Sequence, residues 1–365
     1  MVITGYRAEH FRNLRNIELV PDPGVNVIFG ENGQGKTNII ESIWMFTGCH
    51  SFRTHRTSEL IEKGQREAKV SLSFTAHGME NDARLCINQK RDFMLNGAVK
   101  ESPRRFLGEF QSVVFSPTSL SIVQDAPAER RKFLDIAISM IRPAYSTHLL
   151  KYSKILANRN ALLKQIAVGA AQESYLDAWD EHLARSGAHL TMYRLHYVDE
   201  AAQIASEIYK EISGGKEEMR LEYQQSSRGF SVDEYEMTEN IFIALQKNRE
   251  GDIRRLQTSV GPHKDDLVIH VGDLSARSYA SQGQQRSAAL SLKLAEAYVI
   301  RDVCGEYPVI LLDDVMSELD SGRQNLLLEY LKSWQVFLTC CDTTHVSRLQ
   351  SFKTFRIENG LCMGE

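Results

Sequence analysis

Residues Gly30-Glu31-Asn32-Gly33-Gln34-Gly35-Lys36-Thr37 fit the pattern G-x-x-x-x-G-K-[ST]. The chemistry of that pattern is phosphate binding. Its glycines let successive backbone N–H groups curl around an anion, the lysine lies against β/γ oxygens, the threonine hydroxyl can hold Mg²⁺, and the start of a helix adds a favourable field. The flanks supply the context that this chemistry requires. The apolar run Val25-Asn26-Val27-Ile28-Phe29 reads as a strand ending in glycine, and Ile39, Ile40, Ile43 and Trp44 mark one face of a following helix.

A second constellation is Val309-Ile310-Leu311-Leu312-Asp313-Asp314. It is a buried strand that ends in two carboxylates, at the carboxyl edge where ligands bind in open α/β sheets. Asp313 there would orient Mg²⁺. Asp314 could polarise an attacking water, because in-line phosphoryl transfer needs chiefly a positioned nucleophile and neutralised charge. The competing reading is helix capping, which Ser317 or Asp320 would perform equally well. A third stretch, Ser281-Gln282-Gly283-Gln284-Gln285-Arg286, precedes a small-residue-rich helix and is either another anion-binding helix start or a simple cap. One chain does not easily place two such sites on one terminal phosphate, whereas two copies packed head to tail can.

These residues need elements to position them. Val2 to Glu9 and Ile17 to Val20 read as strands, and Val70, Leu72 and Phe74 alternate with Ser71, Ser73 and Thr75 ahead of a hairpin signal at Asn96-Gly97. They form an antiparallel flap beside a parallel core. After Pro127 the period changes: Leu149, Tyr152, Leu156, Leu163 and Ile166, then Leu176, Trp179, Leu183, Leu190, Tyr193, Tyr197, Ile204 and Ile208, recur at helical spacing. Two long antiparallel helices of about 25–35 residues, roughly 40–50 Å, are the simplest reading, with Gly214-Gly215 ending the second. Strands return at Leu267, Ile269 and Val271, followed by a helix from about 284 to 301 and buried strands at Val309–Leu312 and Val336–Leu338. The expected organisation is α/β: a head with a mixed sheet whose lobes are 1–120 and 256–365, and an α-helical arm, 121–255, inserted between them.

Composition sets outer limits. The chain has 365 residues, 42% hydrophobic and 25% charged, with 43 Lys+Arg against 47 Asp+Glu and a net charge of -4. That balance argues against general attraction to nucleic acid, but not against a local one. Residues 100–164 carry eleven basic and five acidic side chains, and 166–250 carry eight and sixteen. Six cysteines show no C-x-x-C pair or zinc spacing, and the first residues are charged instead of forming an apolar signal region, so a reducing cytoplasm is the expected compartment. No run approaches the roughly 18 apolar residues of a membrane span, which argues against a transporter and a membrane partner.

The order of phosphate loop, long insertion, Ser-x-Gly-Gln, acidic strand and Ser317-Glu318-Leu319-Asp320 resembles the ABC-type ATPase heads, in which one subunit's phosphate loop and the other's signature loop sandwich ATP. Six stretches narrow this: Glu9-His10-Phe11-Arg12-Asn13-Leu14, GENGQGKT, residues 126–135 (APAERRKFLD), Gly261-Pro262-His263-Lys264-Asp265-Asp266-Leu267, SQGQQR and LLDDVMSELD. Together they resemble the RecF family of bacterial DNA replication and repair proteins, related to the SMC heads, along the whole chain. The resemblance implies a homodimer formed on ATP that binds duplex DNA near single-strand gaps. It implies work with RecR and RecO to bring RecA onto gapped DNA in recombination, replication restart and the SOS response, with slow ATP hydrolysis. Carried over by residue, Gly30 to Thr37 hold the nucleotide, Thr37 and Asp313 hold Mg²⁺, Asp314 is catalytic, and Ser281, Gly283 and Gln284 act in trans as the signature. Asp320 lies in the loop that couples the two sites, and Arg12 and Asn13 fall where related heads contact the nucleotide.

Two departures stand out. Asp314 replaces the glutamate of many ABC heads and reaches one methylene less far, and Cys340-Cys341-Asp342 stands where transporters place a histidine, with His345 three or four residues later. Slow hydrolysis is their expected consequence. For DNA, Arg104, Arg105, Arg130, Arg131 and Lys132 could line a groove and neutralise phosphates. The alternative for them is a solvated face paired with acidic residues of the arm. A structural chromosome ATPase of the SMC type is the main rival function. It would need several hundred residues between the head halves, and here Thr37 and Asp313 are 276 apart.

Overall fold

Contacts divide the chain into residues 1–120 with 289–365 as one unit and 121–288 as another. The structure is a computed structural model and describes residues 1–100, 102–227, 231–342 and 351–363.

The first unit contains two six-stranded sheets. One is antiparallel and local, ordered Leu14–Leu19, Val2–Phe11, Ala68–Ala76, Met79–Ile87, Arg91–Leu95 and Ala98–Lys100. Every second residue of Ala68–Ala76 is buried, as expected for a sheet with one covered face. Asn96 and Gly97 both take positive φ (50° and 80°) between the paired residues Leu95 and Ala98, the geometry of a two-residue hairpin.

The other sheet is ordered Leu361–Met363, Lys353–Glu358, Val25–Phe29, Val336–Cys340, Val309–Leu312 and Ser112–Phe115. All its neighbours pair in parallel except the antiparallel edge strand Leu361–Met363. Its continuous apolar runs Val309–Leu312 and Val336–Cys340 are wholly buried, as strands covered on both faces must be. Val25–Phe29 and Val309–Leu312 both flank Val336–Cys340 in the same direction. The phosphate loop and the aspartate pair therefore leave the same edge of the sheet.

In the second unit the helices Pro127–Ile141 and Pro143–Ala167 each begin with proline, whose missing N–H costs nothing in a first turn. Leu176–Ile212 follows, 37 residues long, and then Glu234–Arg255 with Asp233 as its N-cap. Both Pro143–Ala167 and Glu234–Arg255 pack against Leu176–Ile212, so the expected pair of helices has a third partner. Its apolar stripe, Met237, Ile241 and Leu245, is one residue wide, which hides it in a sequence reading. Gly214 and Gly215, at φ 65° and 76°, end the long helix where expected.

The segment 256–288, expected with the second lobe of the head, differs in its contacts. Its strand Asp266–Val271 pairs in antiparallel register with Met219–Gln224, residue 266 opposite 224 and 271 opposite 219, and this pairing keeps it with the helical unit. Among the described residues no helix is long and apolar enough to cross a membrane.

Candidate nucleotide site

Strand Val25–Phe29 runs into the loop 30–35 and then into the helix Lys36–Trp44. Gly30 and Gly35 have φ of 149° and 115°. A Cβ on Gly30 would lie 2.3 Å from the carbonyl oxygen of Ile357, and one on Gly35 would lie 2.7 Å from Leu14 Cδ2, so only glycine fits either place. The Lys36 ammonium donates to the carbonyls of Gly30 (2.6 Å) and Glu31 (2.8 Å), which holds it across its own loop. The loop is also braced from outside. Asn13 Nδ2 donates to Gly33 O at 2.8 Å, Asn38 Nδ2 donates to Asn13 Oδ1 at 2.6 Å, and the backbone N–H of Asn359 donates to Gln34 Oε1 at 2.5 Å.

Thr37 Oγ1 donates to Asp313 Oδ1 at 2.8 Å, and Thr339 Oγ1 donates to the same oxygen at 3.0 Å. Asp313 is 5% exposed. Burial raises its carboxyl pKa, against the lowering effect of the two hydroxyl donors. A hydroxyl and a carboxylate oxygen held together are hard oxygen ligands of the type Mg²⁺ takes. Mg²⁺ is usually bound through one or two carboxylates plus substrate phosphates, so the pair fits the ion beside a bound nucleotide. Asp314, one residue on, is exposed and has φ 55°, a strained region for a non-glycine residue. Its N–H donates to Thr339 Oγ1 (2.9 Å) and its carbonyl accepts from Ser317 Oγ (2.9 Å), so backbone bonds on both sides turn its side chain away from the buried strand.

Arg12 has φ 54° and grips Glu41 in two bonds, Nε to Oε2 at 2.5 Å and Nη2 to Oε1 at 2.7 Å. Glu41 is fully buried and also accepts from Ser51 Oγ (2.5 Å) and Arg53 Nη1 (3.2 Å). A buried carboxylate demands a cation, but Glu41 lies off the face marked by Ile39, Ile40, Ile43 and Trp44, so helical spacing carries no sign of its burial. Local spacing does not mark Thr339 either, whose hydroxyl serves both aspartates. Cys341 Sγ donates to Asn32 Oδ1 at 3.2 Å beside the loop. Burial pushes the Cys340 thiol up to about 11, which keeps it protonated. His345 lies outside the described residues.

Asp320 caps the helix Ser321–Tyr330, accepting from the N–H groups of Gly322 (3.1 Å) and Arg323 (3.0 Å). Asp320, and not the pair Asp313–Asp314, thus supplies the cap of this helix. Ser281 and Gln284 likewise form a reciprocal cap at the start of the helix Gln282–Cys304: Gln284 Oε1 accepts from Ser281 N–H (2.7 Å), and Ser281 Oγ accepts from Gln284 N–H (3.3 Å).

The basic candidates separate into two kinds. Arg104 and Arg105 are exposed on the short turn Pro103–Phe106, and Lys132 is 42% exposed beside Glu129. Arg130, expected on a phosphate-contacting face, is instead 4% exposed, with its guanidinium in two bonds to Asp266 at 2.7 and 2.8 Å. Arg131 Nη1 donates to the carbonyl of Asp265 at 2.8 Å. Both thus anchor the strand start at 265–266.

The stretch Gly261–Leu267 proves to be a hub of the second unit. Arg194 donates to Pro262 O (2.6 Å), Tyr145 OH (2.9 Å) and Asp135 Oδ1 (2.7 Å); Asp265 accepts from Tyr223 OH and the Ser226 N–H, each at 2.8 Å. His263 lies between Tyr152 OH (2.6 Å) and the carbonyl of Thr258 (3.1 Å). The carbonyl requires Nε2 to carry the proton, so Nδ1 accepts from the tyrosine. Burial, the largest influence, depresses its pKa to about 4.

The family model described as RecF/RecN/SMC N terminal domain matches residues 2–362. The chain is 36% identical to "DNA replication and repair protein RecF" of Clostridium tetani, covering 97% of each chain, and 36% identical to the protein of that name in Clostridioides difficile, covering 99% of this chain and 97% of that one. A solved structure of the recombination mediator protein RecF-ATP in the RecFOR pathway matches with a TM-score of 0.92 and 35% identity, over 99% of this chain and 97% of that one. An SMC head of Pyrococcus furiosus matches with a TM-score of 0.56 at 16% identity and shares the fold. The chain has the ABC-type head fold and belongs to the RecF family of DNA replication and repair proteins, within the wider RecF/RecN/SMC group.

Proposed function

We propose that this chain is an ATP-dependent DNA-binding recombination mediator of the cytoplasm, which pairs with a second copy on binding ATP and clamps duplex DNA near single-strand gaps. The observation that carries this reading is the hydrogen bond between Thr37 and Asp313, which joins the phosphate loop to the acidic strand across 276 residues. Lys36 exchanges the carbonyls of Gly30 and Glu31 for phosphate oxygens, and the backbone of 33–37 cradles the phosphates. Thr37 and Asp313 would hold Mg²⁺, which would supply neutralising charge for phosphoryl transfer. Asp314 orients water, and its short side chain supports slow turnover. Ser281, Gly283 and Gln284 of the second copy close the site, and Asp320 lies in the connecting loop. Arg12 and Asn13 shape the near side of the loop. RecR, with RecO, and RecA are the partners that family membership supports.

DNA phosphates are met by the exposed Arg104 and Arg105 and by the part-exposed Lys132, while Arg130 and Arg131 keep their internal partners. The test is duplex binding by fluorescence anisotropy at stated salt with ATP, ADP and no nucleotide, for the wild type and Lys36→Met. Binding that depends on ATP and is lost in the variant is expected. Affinity indifferent to nucleotide would retain the ATPase head and remove the clamp. Replacing Arg104, Arg105 and Lys132 by glutamine should lower affinity and flatten its salt dependence.

A further inference from the structure

The cap at Ser281 and Gln284 uses the amide oxygen of Gln284 and leaves its NH₂ group for another partner. That partner is Glu217: Gln284 Nε2 donates to Glu217 Oε1 at 2.7 Å. Glu217 is itself fixed. Its Oε2 accepts from Tyr209 OH at 2.9 Å, and its backbone carbonyl accepts from Ser213 Oγ at 3.2 Å. Tyr209 belongs to the last turn of the helix Leu176–Ile212, and the Gly215 N–H returns to Lys210 O at 2.7 Å, which fixes the exit of the chain from that helix. An unbroken path of hydrogen bonds therefore runs from the end of the 37-residue helix through Glu217 to the loop 281–284.

In an ordinary capping box the second polar atom of the glutamine faces water and the amide is free to flip. Here a flip would set the amide oxygen against the Glu217 carboxylate and an N–H against the Ser281 N–H, losing both bonds. The carboxylate thus selects one orientation of Gln284, and through it the cap that orients the Ser281 hydroxyl.

We propose that Glu217 is the positioning residue of the signature loop. It holds Gln284 and Ser281 in the arrangement that a second copy's bound nucleotide meets, and it ties pairing of two copies to the end of the helix Leu176–Ile212. The inference rests on reading 281–284 as a loop that acts in trans.

The test is a double-substitution cycle read by ATP-dependent dimerisation in sedimentation velocity, with ATP binding to the monomer and the thermal midpoint measured beside it. Glu217→Ala should weaken the dimer about tenfold, the scale of one charge-assisted hydrogen bond, and leave monomer ATP binding unchanged. Gln284→Glu keeps an acceptor for the Ser281 N–H but opposes Glu217 with a like charge, and should weaken the dimer at least as much. Adding Glu217→Gln to that variant restores a donor facing the new carboxylate at position 284 and an acceptor for Tyr209, and should recover most of the loss. A purely structural contact would move the thermal midpoint of Glu217→Ala and give no recovery in dimerisation. Wild-type dimerisation by Glu217→Ala, or a double variant no better than Gln284→Glu, would overturn the proposal. A wild-type chain that stays monomeric with ATP would remove the trans reading beneath it.

Discussion

In the unit of residues 1–120 and 289–365, Lys36, Thr37, Asp313 and Asp314 stand where strands end; the lysine bonds to carbonyls that a phosphate could replace, and Thr37 and Asp313 present paired oxygens to a metal ion. In residues 121–288 the strongest charges lie inside: Arg159, with no exposure, donates to Asp180 at 2.6 Å, to Asp252 at 2.8 Å and to Thr258 at 2.8 Å, and Arg194 is similarly enclosed. Both regions supply motifs specific to the family, but in the second Arg130 and His263 of those motifs are held by partners inside the fold. The lesson is that an arginine or histidine in a diagnostic stretch can be there for the core. Arg130 and His263 are of this second type.

The comparison breaks first at Arg159. Arg159→Met takes from the buried Asp252 its 2.8 Å cation and leaves Asp180 only Arg249, at 2.7 Å, and should cost about 3–5 kcal/mol in denaturant unfolding; a loss below about 1 kcal/mol would mean that water reaches the cluster. His263 is next. Its pKa is depressed to about 4 in the fold, against about 6.5 unfolded, so its contribution is complete above pH 6.5 and is lost as pH falls toward 4, up to about 3 kcal/mol. Denaturant unfolding at pH 7 and pH 5 should show this slope in the wild type and a shallower one in His263→Asn. The smallest effect belongs to the first unit: Asp320→Ala removes two capping bonds and should cost about 1 kcal/mol in thermal unfolding. The Asp320 carboxyl pKa is lowered chiefly by the Arg323 N–H, so this contribution is present above the ordinary carboxylate range and vanishes as pH falls through the depressed value.

Much of the first unit is legible in the sequence because its signals are local. Val25–Phe29 with its glycine loop, Val309–Leu312 with its aspartates, and the alternation of 68–76 each state their structure within ten residues. The supporting residues are not local: Glu41 serves Arg12 and Arg53, and Thr339 is placed by a strand at the far end of the chain. In the second unit the helix Glu234–Arg255 escapes because its buried stripe is narrow, and the attachment of 256–288 escapes because it depends on pairing 219–224 with 266–271. Neither the burial of Arg130 nor its partner Asp266, 136 residues away, leaves a trace in local spacing.

The parallel sheet also sets a schedule for synthesis on the ribosome. Val25–Phe29 acquires both its neighbours, Val336–Cys340 and Lys353–Glu358, only when about 300 further residues have been made, roughly 15–60 s later at ~5–20 residues per second. The antiparallel hairpins from 68 to 100 can close long before then. A nascent chain therefore exposes an apolar strand with both edges open for most of its translation, and such a strand can bind chaperones or aggregate before the phosphate loop has a sheet to stand on.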